Sequence, residues 1–410
     1  MNEEIYNERI QLVNDAIALK EPKRVPVCPF IASVAQRFYG SSYRDLYYDY
    51  DKAGEAALKF YEHYQPDAAY FSGFTCGRSN EIAESGMIDW PGRPGTKISI
   101  YSSHQVMEFE YMHADEYKEL LTDYTGFMLR KYIPRAFPGL KGLGNINFRY
   151  ATILNTAMFG PSAAEETIEA YNKLAEIGRL DRETAAKTAE YQGKLRDLGF
   201  PFMFTGAGEA PYDILGDYFR GTMGVFDDLM EREDEVEEAV WLFADHQIER
   251  LAYLKNPMPI KRVFFPLHKG MDGFMSHEQY DRLYLKPYLK VINALIDMGA
   301  TPYLYTEGKY NTRLEALRAL PKGKCLVHLE STDIKRAKEV LGDVACICGN
   351  LPINMLEYGK KEDVIDYCKF LIDTCAPGGG YIFDTDGSIE NAKPENLDAM
   401  FDTMFTYGRA

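Results

Sequence analysis

Hydrophobic and polar positions along this chain follow two rhythms. In the last third, five short apolar runs recur, each followed by a polar or acidic residue and then a helix-like stretch. They are RVFFPL (262–267), TPYLYT (301–306), KCLVHL (324–329), VACIC (344–348) and GYIFD (380–384). Runs this short, rich in Val, Ile, Phe and Tyr, predict parallel strands buried on both faces. Three earlier runs, RVPVCPF (24–30), AAYFSGF (68–74) and PFMFTG (201–206), bring the candidates to eight. Eight strands alternating with helices predict an α/β fold, a (β/α)8 TIM barrel. A doubly wound open sheet is the alternative. Its nucleotide-binding forms find no support, because no GxGxxG follows the first strand and no GxxxxGK[ST] occurs. Nothing reads as a linker, so one domain over 1–410 is expected.

Elsewhere the spacing is helical. Residues 3–19 read as an amphipathic N-terminal extension, and 51–64 and 114–136 as further helices. Residues 163–198 predict two helices broken near Gly178. Ser276 and Gln279 form a Ser-x-x-Gln capping box at the head of a helix that runs to Met298 and stops at Gly299. After the second strand, 75–103 carries the turn signals Trp90-Pro91-Gly92 and Arg93-Pro94-Gly95, and predicts an excursion over one mouth of the fold.

Composition narrows the function classes. With 46% apolar residues the chain can bury a core, and its 30 tyrosines suit either aromatic packing or a pocket for a planar ligand. A formal charge of −16 excludes nucleic acid as a partner, since phosphate binding needs a cationic stripe. Asp227-Asp228 and the acidic run 231–238 read as a solvated helix face. No run of eighteen apolar residues exists, so no membrane span is expected. The opening MNEEIYNERIQ lacks the apolar core of a signal peptide. Seven scattered cysteines, an odd number, fit a reducing compartment, and a cytoplasmic protein is expected.

Candidate chemistry sits at the strand ends, where parallel α/β folds place catalytic groups. Those positions hold His268, Glu307, His328 with Glu330, Cys348, and Asp384 with Asp386. Each has a plainer reading. Glu307 could cap a helix near Asn311, His328 could be a hydrogen-bonded core histidine, and Asp384 to Gly387 could be a simple turn. Glu330 precedes Ser331 and Thr332, which are expected to cap the next helix. Cys346 and Cys348 should share one strand face. Lys269 and Gly270 place His268 in an exposed loop.

Longer stretches carry a resemblance. CGNLPINMLEYGKKEDV (348–364), APGGGYIFDTDGSI (376–389) and KPENLDAMFDTMFTYG (393–408) resemble the C-terminal segments of the uroporphyrinogen decarboxylase superfamily. NERIQLVNDAIALKEPKRVPVCPF (7–30) resembles its opening, and ILGDYFRGTMGVFDDLMEREDEVEEAV (214–240) its middle. The resemblance implies a (β/α)8 barrel and one of two chemistries, porphyrinogen decarboxylation or methyl transfer to or from corrinoid proteins. Decarboxylases carry an Arg-Gln-Ala-Gly-Arg stretch after the first strand and an Asp near the end of the second. Here FIASVAQRFYG (30–40) has only Arg37, and the second strand ends Tyr70-Phe71-Ser72-Gly73-Phe74. A polycarboxylate substrate needs several converging cations, so decarboxylation is the lesser reading.

The methyltransferase branch is more similar. Members that use methanol, methylamines or thiols ligate zinc through His-x-Cys. The equivalent segment here is LYTEG (304–308), with Tyr305 for the His and Glu307 for the Cys. That departure resembles the methyltransferases of O-demethylase systems, which cleave methyl ethers of phenols. Their zinc pattern, Glu-x14-Glu-x20-His, falls on Ile292, Glu307 and His328, so two of three ligands match. The resemblance implies Glu307 and His328 as zinc ligands; Glu330 and Cys348 are further candidate donors by residue type and their place at strand ends.

Ether cleavage requires a nucleophile for the methyl carbon and an acid or Lewis acid for the phenolate. The nucleophile would be a reduced corrinoid on a partner protein. His268, Tyr305, Glu307 and Asp384 are the candidate catalytic residues. The expected function is transfer of a methyl group from a small aryl methyl ether to that corrinoid. The alternatives are transfer from a methylcorrinoid to a thiol or folate-type acceptor, and a non-catalytic ligand-binding barrel. The resemblance admits a homodimer.

Overall fold

The computed structural model describes residues 2–147, 157–255 and 261–407. The expected excursion, 75–103, holds a helix, Gly77–Ala83, and a short strand, β1 (Ile88–Asp89), which pairs antiparallel with β2 (Gln105–Val106) just beyond it. The other strands form one parallel sheet. They are β3 (Gly206–Ala207), β4 (Arg262–Leu267), β5 (Thr301–Thr306), β6 (Leu326–Leu329), β7 (Cys346–Cys348) and β8 (Tyr381–Ile382), neighbours in that order. The fold is thus α/β, and β4 and β5 have the bounds their apolar runs predict.

Period-two alternation sorts the sheet's side chains. Val263, Phe265, Leu267, Leu304, Val327, Leu329 and Ile347 join the core shared with the helices, among them Val291 and Leu371. Phe264, Tyr303, Tyr305, Leu326, Cys346 and Cys348 point the other way, into a separate cluster with Cys28, Tyr70 and Met203. Cys346 and Cys348 therefore share a face, as expected. Full burial of each Val, Leu, Ile or Phe contributes about 1.5–3 kcal/mol, which fixes this register.

The first two predicted strands are reduced to bridges, Val27 with Phe383 and Ala69 with Phe202, both parallel. Pro26 and Pro29 remove ladder donors from the first. Gly73, at φ +107°, ends the second. Backbone bonds still tie these segments in, with Cys28 N–H donating to Phe383 O (2.9 Å) and Asp67 N–H to Val27 O (2.8 Å).

Three helix expectations need correction. Residues 114–136 are divided at Asp123, whose side chain accepts from Gly126 N–H and starts a new turn. Residues 163–198 form one helix, Glu165–Asp197; Gly178 is exposed with open space where a Cβ would stand, and its cost of about 1 kcal/mol does not break so long a helix. Asp333, not Ser331 or Thr332, caps Ile334–Leu341. The Ser276–Gln279 box forms as expected. Among the described residues no helix is long and apolar enough to cross a membrane.

Candidate active site

β4 delivers His268 and Lys269 beyond its end, facing the segment that carries Glu209, Asp213 and Asp217. These acids recur every four residues, so helical turns from Pro211 to Arg220 bring Asp213 and Asp217 to one face. The second part of that segment, Ile214–Arg220, is π-helical, a form enriched at functional sites. Asp213 accepts the backbone N–H groups of His268 (3.1 Å) and Lys269 (2.9 Å) and the Tyr284 hydroxyl (2.7 Å). Asp217 lies 2.6 Å from His268 Nδ1 and 2.7 Å from Lys269 Nζ. Gly216 permits this approach, because a Cβ there would sit 2.5 Å from Lys269 Cε. Lys269 is buried rather than in the exposed loop expected from sequence.

The other ring nitrogen of His268, Nε2, lies 3.4 Å from Glu307 Oε1. Burial opposes charge on the ring, but bonds to Asp217 and Glu307 and the field of Asp213 outweigh it and push His268 up to about 11. The ring is therefore an imidazolium at neutral pH. Burial and the neighbouring Asp217 charge push Asp213 up; Asp217 is held down against burial by its bond to His268.

A second network lies on the inner face of the sheet. Asp384 Oδ1 accepts from Phe30 N–H (2.6 Å) and Thr385 N–H (2.7 Å), and Oδ2 from the Tyr70 hydroxyl (2.7 Å). Tyr70 and Tyr303 hydroxyls are 2.6 Å apart, and Cys348 Sγ is 3.6 Å from Asp384 Oδ2. Burial pushes Asp384 up to about 7 in spite of these bonds. His328 Nε2 is 2.7 Å from Thr385 O, and burial pushes the ring down to about 3, so it is neutral. A carbonyl only accepts, so Nε2 carries the proton; the buried Nδ1 has no hydrogen-bond partner among the described residues. Tyr305, opposite His328 in the sheet register, stacks on it with ring centroids 4.1 Å apart and planes 13° apart.

Of these groups, Phe30, Tyr70, His268, Tyr305 and Glu307 border a cavity of about 640 Å³, a size suited to a small organic ligand. Its aromatic walls include Phe30, Tyr70, Phe204, Phe264 and Tyr305, with Phe30 stacked on Tyr70 (4.4 Å) and Phe204 on Phe264 (4.8 Å). His268, Glu307 and Tyr218 supply polar lining. A cavity of about 690 Å³ beside the Glu165–Asp197 helix has a single carboxylate, Asp181, already bonded to Ser79 (2.6 Å).

Of the residues singled out from sequence, His268 and Glu307 meet at the cavity, and Tyr305 joins them in its lining. Asp384 meets His328 and Cys348 in the inner network. Glu330 Oε2 accepts from Gly308 N–H, and Gly308, at φ +84°, turns the chain after Glu307. The proposed zinc donors Glu307, His328, Glu330 and Cys348 do not gather. Among the described residues no three His, Cys, Asp or Glu side chains are grouped to hold a metal ion. The His328 Nε2 is committed to Thr385, and burial pushes the Cys348 thiol up, away from the thiolate a metal needs. The donor set does not fit zinc.

Sequence reasoning missed Asp213, Asp217, Glu209, Tyr218 and Tyr70. The four-residue recurrence of the acids in GEAPYDILGDY (208–218) was the available signal. Tyr70 had none, because its role comes from Asp384, 314 positions away.

The family model of uroporphyrinogen decarboxylase (URO-D) matches residues 160–407, and the chain belongs to that family. No curated protein sequence matches it. Among solved structures, a methyltransferase from Methanosarcina mazei superposes with a TM-score of 0.56 at 12% identity, over 96% of this chain and 97% of that one. At this identity the likeness is one of fold.

Proposed function

We propose that this protein is a methyltransferase that moves a methyl group from an aryl methyl ether to the reduced cobalt of a corrinoid protein. The carrying observation is the His268 ring, held between Asp217 and Glu307 at the wall of an aromatic-lined cavity. The scaffold we propose is one (β/α)8 barrel domain, a reading that the parallel bridges Val27–Phe383 and Ala69–Phe202 support. The M. mazei methyltransferase of like fold supports the reaction class.

In this reading the corrinoid is the second substrate. Its electron pair forms the new bond to the methyl carbon, the C–O bond breaks, and the bonding pair stays on the aryl oxygen. His268 Nε2 donates its proton to that oxygen. A phenol titrates near 10, as tyrosine does, and His268 is held at about 11. The two lie close enough for proton sharing at little cost. Glu307, about half exposed, gives up its contact with Nε2 to the ligand and connects the ring to solvent. Tyr70 and Tyr305 hold the aromatic ring, and Asp384 fixes Tyr70. The residues do not fit zinc, and His268 alone activates the leaving group in this reading.

Porphyrinogen decarboxylation has no cation cluster to use. Arg37 bonds Tyr101 O (3.1 Å) and stacks on its ring, and no Lys or Arg is among the described residues lining the cavity. The test is to incubate the protein with 2-methoxyphenol and reduced cobalamin and to quantify catechol. Catechol formed in proportion to enzyme supports the proposal; its absence across a panel of methoxyarenes overturns it.

A further inference from the structure

The structure assigns a second ligand-reading residue to this cavity. We infer that Tyr218, backed by Glu209, donates a hydrogen bond to an uncharged oxygen of the aromatic ligand, and that the cavity rejects ligands bearing a carboxylate. The inference deepens the methyl-transfer reading, from which it takes only the class of ligand.

Tyr218 lines the cavity, and its hydroxyl lies 3.0 Å from Glu209 Oε1. Glu209 Oε2 is buried without a hydrogen-bond partner among the described residues. A carboxylate with one bare oxygen in a buried site is costly, whereas a neutral acid tolerates it far better. Burial pushes Glu209 up to about 7, with Asp213 and Asp217 adding to the rise and Tyr218 and His268 opposing it. Tyr288 lies within the field of Glu209, and Arg250 bonds Ala207 O (2.6 Å) nearby.

The protonation of Glu209 sets what Tyr218 offers. A protonated Glu209 donates to the Tyr218 oxygen, leaving the phenolic proton free for the cavity. An ionised Glu209 takes that proton as acceptor, and the cavity loses its donor.

The charges around the ligand space oppose a carboxylate. Glu307 and Glu390 line it. The charge of His268 is already shared by Asp217 and Glu307. The nearest lysine, Lys269, is turned to Asp217, Glu108 and Thr222.

Titration calorimetry of the whole protein without corrinoid tests this, using 2-methoxyphenol and its ring-carboxylated counterpart 4-hydroxy-3-methoxybenzoate. The neutral ligand should bind at least about ten-fold tighter, against one uncompensated carboxylate. Between about pH 6.5 and pH 8.5 its affinity should fall about five-fold, the worth of one hydrogen bond. Tyr218→Phe should show the weaker affinity at both pH values. Glu209→Gln, whose amide donates to Tyr218 at any pH, should abolish the fall. Equal or tighter binding of the carboxylated ligand, a pH dependence that survives both substitutions, or binding of neither ligand would overturn the inference. Preserved selectivity without methyl transfer would instead count against the reaction proposed above.

Discussion

Asp217 Oδ2 lies 2.6 Å from His268 Nδ1, which leaves Nε2 as the nitrogen that faces Glu307. The pair fixes the ring's orientation and keeps it charged, so a proton is aimed outward from Nε2. Asp217 is a positioning residue in this arrangement, and His268 is the group that meets the substrate.

Removing that proton should cost rate according to the leaving group. His268→Gln should lower kcat for 2-methoxyphenol about 100-fold, the low end for a general acid. It should lower it only a few-fold for a nitrophenyl methyl ether, whose phenolate leaves unaided. Asp217→Asn should move the alkaline limb of the wild-type rate profile downward from about 11, because the ring loses its strongest bonded anion. Steady-state rates against pH for both ethers check these outcomes.

Asp384 should make the protein less stable as pH rises. Its folded value, about 7, lies above the unfolded value of about 3.9. Between these, the folded state keeps a proton that the unfolded chain has lost. Stability should therefore fall by about 1.4 kcal/mol per pH unit across that window and level off above it. Asp384→Asn removes the titration, so its melting temperature should gain on wild type from pH ~4 to ~7.

Tyr305 contributes through its ring. Tyr305→Phe keeps the stack on His328 and should hold KM within about two-fold. Tyr305→Ala opens the wall and should raise KM about ten-fold while costing about 3–5 kcal/mol in stability. Paired kinetics and denaturant titrations separate the two effects.

Chelation should leave the rate unchanged, because the leaving group takes its proton from His268 and the zinc donors are dispersed. A rate lost to a chelator and restored by zinc would transfer leaving-group activation to a metal.

The sheet's C-terminal half was legible because each strand is a compact apolar run with a polar residue at its end, as β4 with His268 and β5 with Glu307. The N-terminal segments were harder to read. Prolines at 26 and 29 thin the ladder, and a propensity argument does not see how few bonds survive. At the site, local sequence pointed to His268, Glu307 and Tyr305. It did not reveal that His268 bonds a carboxylate 51 positions earlier, since that contact depends on how the π-helical stretch lies against the residues that follow β4. The Glu307–His328 spacing matched a metal pattern, yet His328 points to Thr385 and Tyr305.

The most direct measurement is a single-turnover experiment on wild type and His268→Gln with reduced cobalamin, following the cobalt spectrum as 2-methoxyphenol is added. The reduced-cobalt band should be lost at a rate that saturates with ether concentration in wild type and is about 100-fold slower in the variant. A band unchanged by the ether in wild type, or lost equally fast in both proteins, would contradict it.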